Sequence, residues 1–384
     1  MADKIRVGMI GLGRISTLHL PAYDQSQNQS QNINAELVAI CDKNKKRLKE
    51  VAQEFNIPES NCYTDYGDLL KQNTVDAVEI LVPHHLHAEI TIAAAKAGKS
   101  ISLQKVPAMT LSEMDRMIKA AQENSVHFRV FENFRFHEPY MKAMAMIETG
   151  LIGKTERIDY RMYGGFQALS GWKVPLKSSA WRLTEKDNYK SPTIFDDGYH
   201  KHSVISWMLQ ESIDSVITWQ GKYNIKVAGI PTPIRLDTPF NIIYTCKNKA
   251  HYATLSSSTH DFFPMHSDYY SCDEYMDVIG EKGAIFIPGC TGSWFKNCEA
   301  GPGKEGVHWC TADGKWHSDT SMNSDWAQSF INCSKDFIEG IRTGKQAQLS
   351  PEDARYILQI GLDAVKSTRE NFREVKLKEI TDGI

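Results

Sequence analysis

An apolar, β-branched run that ends in two closely spaced glycines constrains this chain more than any other feature. Ile5-Arg6-Val7-Gly8-Met9-Ile10 leads directly into Gly11-Leu12-Gly13-Arg14-Ile15-Ser16. The run reads as a buried strand, and residues 17–23 are helix-compatible. Glycines at this spacing let the backbone turn sharply and come close to a pyrophosphate, while the helix N-terminus points free N–H groups at the same anion. Gly11, Gly13, Arg14 and Ile15 are therefore candidate dinucleotide contacts. The third motif position is Ser16, not glycine or alanine, which leaves an ordinary strand–helix turn as the competing reading.

The alternation continues. Apolar runs at 36–41, 75–82, 100–103 and 126–131 are separated by helical patterns at 43–55, 86–97 and 111–124. Gly98 stops the second of these helices and Thr110 caps the third. Repeated βαβ units of this length demand a parallel sheet with helices on both faces. Past residue 150 the pattern changes to consecutive strands at 155–163, 215–223, 240–246, 251–257, 274–279 and 284–287, with one helix at 199–209 between them. Helices at 325–343 and 351–371 close the chain. The expected fold is α/β: an N-terminal Rossmann domain, 1–132, and a C-terminal α+β domain, 133–384, with an open, mostly antiparallel sheet. Residues 24–34 read as a polar loop and 288–319 as a long irregular insertion.

Composition excludes several classes. A net charge of −3 over 384 residues carries no basic excess for nucleic acid or an anionic membrane surface. No apolar run approaches the ~20 residues that span a bilayer. The polar start Met-Ala-Asp-Lys is no signal peptide, so a cytoplasmic protein with reduced thiols is expected. The eight cysteines are scattered without a C-x-x-C. Cys290, Cys298 and Cys310 match no common zinc spacing, and no metal is expected.

Chemistry-bearing residues gather where strands end. Asp42 follows the second strand, where a carboxylate accepts hydrogen bonds from the adenine ribose and repels a 2′-phosphate. That favours NAD over NADP, although Lys43, Lys45 and Arg47 lie close by and Asp42 could simply cap the next helix. Pro83-His84-His85-Leu86-His87 follows the strand at 75–82, at the edge where open α/β sheets bind ligands; Pro83, His84 and His87 are cofactor candidates, and His87 could equally be a helix-start residue. Gln104-Lys105-Val106-Pro107 follows the strand at 100–103, and a lysine at a buried strand end needs partners. Asp196 and His200 are four apart and share one helix face if a turn begins at Asp196; a carboxylate there would fix the imidazole tautomer.

Taken together these segments resemble the Gfo/Idh/MocA oxidoreductases (glucose–fructose oxidoreductase, inositol dehydrogenase, rhizopine catabolism) over nearly the whole chain. The matching landmarks are Gly11, Gly13 and Ser16; Pro83, His84 and His87; Gln104, Lys105 and Val106; and Asp196 with His200 before Trp207-Met208-Leu209. Further matches are 147–153, Trp181-Arg182, 280–283 and 350–355. The resemblance implies hydride transfer between a secondary alcohol and NAD. His200 would take the hydroxyl proton, Asp196 would orient His200, and Lys105 would stabilise the developing oxyanion. It also implies association through the open sheet face, hence a homo-oligomer. Gln104 stands where the family carries an acid. Val106 stands where it carries a proline, often after a cis bond that places the lysine; its loss leaves room for a shift of Lys105, although Pro107 follows immediately. Gln104 and Lys105 are counted among the cofactor contacts.

The expected substrate is a polyol, with Asn133, Arg135, Tyr163, Trp181, Arg182, His200 and His202 as pocket candidates. Aromatic segments at 164–181 and 262–270 suggest a sugar carrying an aglycone, oxidised at ring C3. Two other readings compete: a hydrolase or lyase that recycles its NAD through a keto-sugar, and a non-catalytic NAD or sugar sensor.

Overall fold

The computed structural model describes residues 4–24, 33–165, 180–225, 234–260, 267, 269–270, 272–292 and 305–384. Most of the polar tract at 24–34 and most of the aromatic segments at 164–181 and 262–270 lie outside the described residues, as does Cys298.

Six parallel strands form the first sheet: β1 (Ile5–Ile10), β2 (Ala35–Cys41), β3 (Cys62–Tyr63), β4 (Ala77–Ile80), β5 (Ser100–Gln104) and β6 (Phe128–Phe131). Their order is β3-β2-β1-β4-β5-β6, so the winding reverses between β1 and β4 and opens a crevice at the carboxyl ends. Both faces are covered, which is why Val7, Met9, Val78, Ile80, Ile101 and Leu103 are all at most 2% exposed. The helix Leu111–Glu123 starts in a full capping box, Thr110 with Glu113. The short strand β3 and the helix Tyr66–Leu70 are additions to the sequence reading; two- and five-residue elements leave no periodic signal.

Beyond residue 150, nine strands make one sheet in the order β16-β15-β14-β13-β7-β12-β11-β8-β17. These are β7 (Thr155–Gly165), β8 (Ile213–Gln220), β11 (Phe240–Cys246), β12 (Tyr252–His260), β13 (Cys272–Gly280), β14 (Gly283–Pro288), β15 (Val307–Thr311), β16 (Trp316–Asp319) and β17 (Val375–Lys376), while β9 (Tyr223–Ile225) and β10 (Ile234–Leu236) form a separate hairpin. Only β7 and β12 pair in parallel. The sheet is open on one side: along β11, Phe240, Ile242, Tyr244 and Cys246 are buried and alternate with the more exposed Asn241, Ile243 and Thr245. The helices Gly198–Leu209 and Pro351–Arg369 pack on each other, and each packs on this sheet. The irregular insertion expected at 288–319 is corrected here, since β15 and β16 extend the sheet edge within it. Their pattern escaped notice because β16 is exposed and only Val307 of β15 is buried.

The helix Trp326–Thr343 returns to the first half. Ile331, Phe337 and Ile338 join the cluster that contains Val7, Met9 and Leu37, and Arg129 on β6 donates to the carbonyl of Cys333 at 2.6 Å. Seven cysteines among the described residues are free thiols, and no described helix is long and apolar enough to cross a membrane.

The glycine-rich turn separates two roles that the motif alone cannot. Gly11 has φ +96°, and a Cβ there would lie 2.5 Å from the Leu81 carbonyl oxygen; a Cβ on Gly13 would meet nothing within 4 Å. Gly11→Ala is therefore expected to cost about 2 kcal/mol or more and to lower Tm measurably, whereas Gly13→Ala should leave Tm nearly unchanged. Equal shifts in a thermal melt of the two variants would contradict this division.

Candidate active site

Side chains from the two halves converge at the carboxyl edge of the first sheet. Lys105 follows β5 and Glu132 follows β6. Facing them is the wide helical turn Pro192–Asp197, which leads into the helix Gly198–Leu209. Asp237 anchors that turn by accepting the N–H groups of Thr193 and Ile194 at 2.9 and 2.6 Å. Lys105 Nζ donates to Asp196 Oδ1 at 2.6 Å and to the Asp196 carbonyl at 3.1 Å. Arg182 Nε lies 3.3 Å from the second carboxylate oxygen. Burial opposes ionisation of Asp196, but Arg182, Lys105 and His84 outweigh it and hold the carboxyl far below the usual carboxylate range.

The expected pairing of Asp196 with His200 is corrected. His200 Nδ1 is 2.8 Å from Glu132 Oε1, and the ring stacks on Phe134 with centroids 4.2 Å apart. Asp196 belongs to the turn before the helix, so its carboxylate reaches across to Lys105 and not along the helix to His200. Glu132 thus fixes Nδ1–H on His200 and leaves Nε2 without a hydrogen-bond partner among the described residues. Burial pushes the His200 pKa down and Glu132 opposes that shift. The ring is neutral and can accept a proton at Nε2. Glu132 was missed in the sequence; the available signal was an acid directly after β6, at the same sheet edge as Lys105. Glu132 Oε2 is buried with no partner among the described residues.

At the other end of the crevice the residues fit a dinucleotide. The open space over Gly13 is where a backbone can approach phosphates. Ser16 is accommodated at the third position because its hydroxyl folds back to the Gly13 carbonyl at 2.8 Å. Asp42 accepts the N–H groups of Leu12 at 2.6 Å and Asn44 at 2.7 Å, which places a carboxylate beside the turn with lone pairs left for ribose hydroxyls. Arg47 is spent on the Leu12 carbonyl and Glu50. Arg14 is exposed and Ile15 is half-buried at the same turn.

Lys105 itself is placed by a buried chain of hydrogen bonds. Its N–H donates to Gln104 Oε1 at 2.8 Å, so the Gln104 amide nitrogen must face His19 Nε2, 3.0 Å away. His19 then carries its proton on Nδ1, 2.8 Å from Glu79, which also accepts the hydroxyls of Tyr23 and Ser334. The Lys105–Val106 peptide bond is cis. With valine at 106, the Lys105 ammonium reaches Asp196 directly. Glu79, a charge inside the apolar run of β4, was the legible sign of this chain.

Several candidates prove internal. His87 is fully buried with its ring nitrogens 2.8 and 2.9 Å from the Val106 and Val82 carbonyl oxygens; burial pushes it down to about 3, so the neutral ring donates to one of the two. His84 binds the Asp187 carbonyl at 2.8 Å and packs against Trp181. These two rings pin the loops around Pro83 and Lys105 and do not reach out to a cofactor. Asn133 is buried on Ser329, and Arg135 on Ser203 and the Trp207 ring. His202 is fully buried between Tyr244 and the Ile194 carbonyl, and burial lowers it to about 4. One helix cannot aim both His200 and His202 into the same cleft, because residues two apart do not share a face. Tyr163 is half-buried on β7, opposite Asp273 of β13. Trp181 and Arg182 remain beside Asp196.

Comparisons with known proteins match both halves of the chain. Residues 5–132 match the family profile described as "Oxidoreductase family, NAD-binding Rossmann fold", and 140–286 match "GFO/IDH/MocA C-terminal domain". The chain is 24% identical to myo-inositol 2-dehydrogenase of Thermotoga maritima over 381 residues, 98% of this chain and 99% of that protein. It is 27% identical to the NAD(+) scyllo-inositol 2-dehydrogenase of Bacillus subtilis over 75% of each chain. A solved levoglucosan dehydrogenase, in complex with NADH and L-sorbose, superposes with a TM-score of 0.80 at 19% identity, covering 98% of this chain and 100% of that one.

The His200–Glu132 pair sets a pH dependence. A histidine lowered by burial stays neutral below its ordinary pKa, so the acid limb of kcat/KM should fall below pH ~6.5. Glu132→Gln removes the group that raises the His200 pKa; the limb should move further down while kcat falls about 10²- to 10³-fold as the tautomer is lost. An upward move of the limb would contradict this pairing.

Proposed function

The chain belongs to the Gfo/Idh/MocA family of NAD-binding oxidoreductases, and from that premise we propose that it transfers a hydride between a secondary hydroxyl of a sugar, glycoside or cyclitol and nicotinamide. The observation that carries this reading is that Lys105, held by Asp196, and the neutral, Glu132-bound His200 stand at one crevice edge, close enough for the lysine charge to act on the ring. His200 Nε2 takes the substrate hydroxyl proton. Glu132 holds the ring and stabilises the imidazolium that forms. Lys105 donates to the same substrate oxygen as negative charge builds on it, and Asp196 with Arg182 keeps that ammonium in place. Bound NAD supplies the hydride acceptor.

In this reading residues 1–132 bind the coenzyme and 133–384 bind substrate and associate with further copies, in a cytoplasmic protein. Trp181 beside His84, together with Tyr270 beside Arg182, gives aromatic surface of the kind that covers sugar C–H groups. It supports a pyranose or cyclitol ring, with oxidation at ring C3 of a glycoside as the finer reading. The similarity to two inositol dehydrogenases makes inositols the first compounds to try.

NADH formation is measured with myo-inositol, scyllo-inositol, free hexoses and methyl glycosides, and the oxidised carbon is identified by NMR. Net NADH with at least one of them is expected. Glycoside cleavage without net NADH would replace this reading with the NAD-recycling one. Binding without any turnover would leave a sensor. Lys105→Ala and His200→Ala should each lower turnover by about 10²- to 10⁴-fold with NAD affinity little changed. Full turnover in either variant removes that residue from the mechanism.

A further inference from the structure

We propose that Asp197 is the substrate-binding carboxylate of this site and that it selects neutral polyols over their uronate counterparts. The inference rests on the dehydrogenase site proposed above and adds a residue and a substrate class to it.

Asp197 is the last residue of the turn that carries Asp196. Both of its oxygens accept from Lys201 Nζ at 3.0 Å. Lys201 is fully buried, and its third contact is Glu274 Oε1 at 3.3 Å. Two of its donors go to Asp197 and the ammonium is closed off from the cleft by burial, so it is not open to substrate. Its side chain is 1% exposed, whereas that of Asp197 is 35% exposed. The Lys201 side of the Asp197 carboxylate is closed, so its free lone pairs lie on the open side. Asp197 adjoins Asp196, which holds Lys105, and lies three residues before His200, one helical turn away, so it stands on the side of the two groups that act on the reacting hydroxyl. Its charge is felt by Arg182 and Tyr270 as well.

A carboxylate in this place has one chemical use toward a ligand: it accepts hydrogen bonds from hydroxyls, and two oxygens suit neighbouring hydroxyls on one ring. Lys201 keeps it ionised, because burial raises its pKa but the ammonium outweighs that effect. The surrounding charges do not offset it. Lys201 is shared between Asp197 and Glu274, and Lys105 and Arg182 are already turned to Asp196. A ligand that brings its own carboxylate therefore meets the Asp197 carboxylate with each of these three cations already paired, which should weaken its binding by about 10- to 100-fold at short range.

The test uses matched pairs at saturating NAD: methyl glucoside and methyl glucuronide, glucose and glucuronate, galactose and galacturonate. Dissociation constants come from tryptophan fluorescence, and turnover is followed in parallel as NADH. The wild type should favour the neutral member of the best-bound pair at least tenfold. Asp197→Asn keeps an acceptor for Lys201 but removes the charge; it should weaken the neutral ligand and cut the preference to threefold or less. Asp197→Glu should retain the preference. Loss of packing alone would weaken both members equally and leave their ratio unchanged. Three results overturn the proposal: a wild type that binds both members alike, an Asn variant that keeps the preference, or no binding of any pair. A neutral preference without NADH would instead discard the dehydrogenase reading and leave Asp197 as the selector.

Discussion

One buried ion pair ties this structure together. Lys105 rises from the end of β5 and Asp196 comes from a turn ninety-one positions later, and neither could be buried without the other. Removing one partner of such a pair costs about 3–5 kcal/mol, because the remaining charge has no solvent to turn to. Arg182 and His84 add to the stabilisation of Asp196, so the carboxylate is the hub of a small cation cluster. The same contact that holds the two halves in register sets the lysine beside His200. Stability and chemistry therefore rest on the same atoms.

The local rules of the first half converge on that hub. Gly11 lets the chain pass the Leu81 carbonyl, Asp42 grips the turn through Leu12, and His87 fills the space between the loops after β4 and β5. Behind Lys105, the chain from Gln104 through His19 to Glu79 permits a single hydrogen-bond arrangement. The lysine N–H orients the Gln104 amide, the amide orients His19, and His19 donates to a fully buried carboxylate. A neutral amide at position 104 is thus compatible with a neutral imidazole, where an acid would ask for an imidazolium. The tolerance of this chain for Gln104 follows from the position of Glu79.

Much of the fold was legible because burial writes periodicity into sequence. Doubly covered strands such as β1 and β2 read as largely apolar runs, and the capped helix Leu111–Glu123 announced its start. Strands β15 and β16 were not legible, since edge strands with exposed faces carry neither signal. At the site, Lys105, Asp196 and His200 stood out by motif and spacing, but their partners did not. Asn133, Arg135 and His202 have the chemistry of a polar pocket and are spent on internal hydrogen bonds. Glu132, Asp197 and Lys201 lie among ordinary charged residues in the chain; burial singles out Glu132 and Lys201, and the pairing with Lys201 singles out Asp197.

The order of strands, the glycine turn, the acid after β2 and the lysine after β5 were determined by the sequence alone, because each depends on interactions within a few residues or on a period that repeats along one element. Which carboxylate meets which cation was decided by the tertiary structure. Asp196 is four residues from His200 and bonds Lys105; Glu132 is sixty-eight residues away and bonds His200. Partner choice among buried charges is settled by where the backbone of distant segments comes to rest, and spacing along the chain carries no record of that.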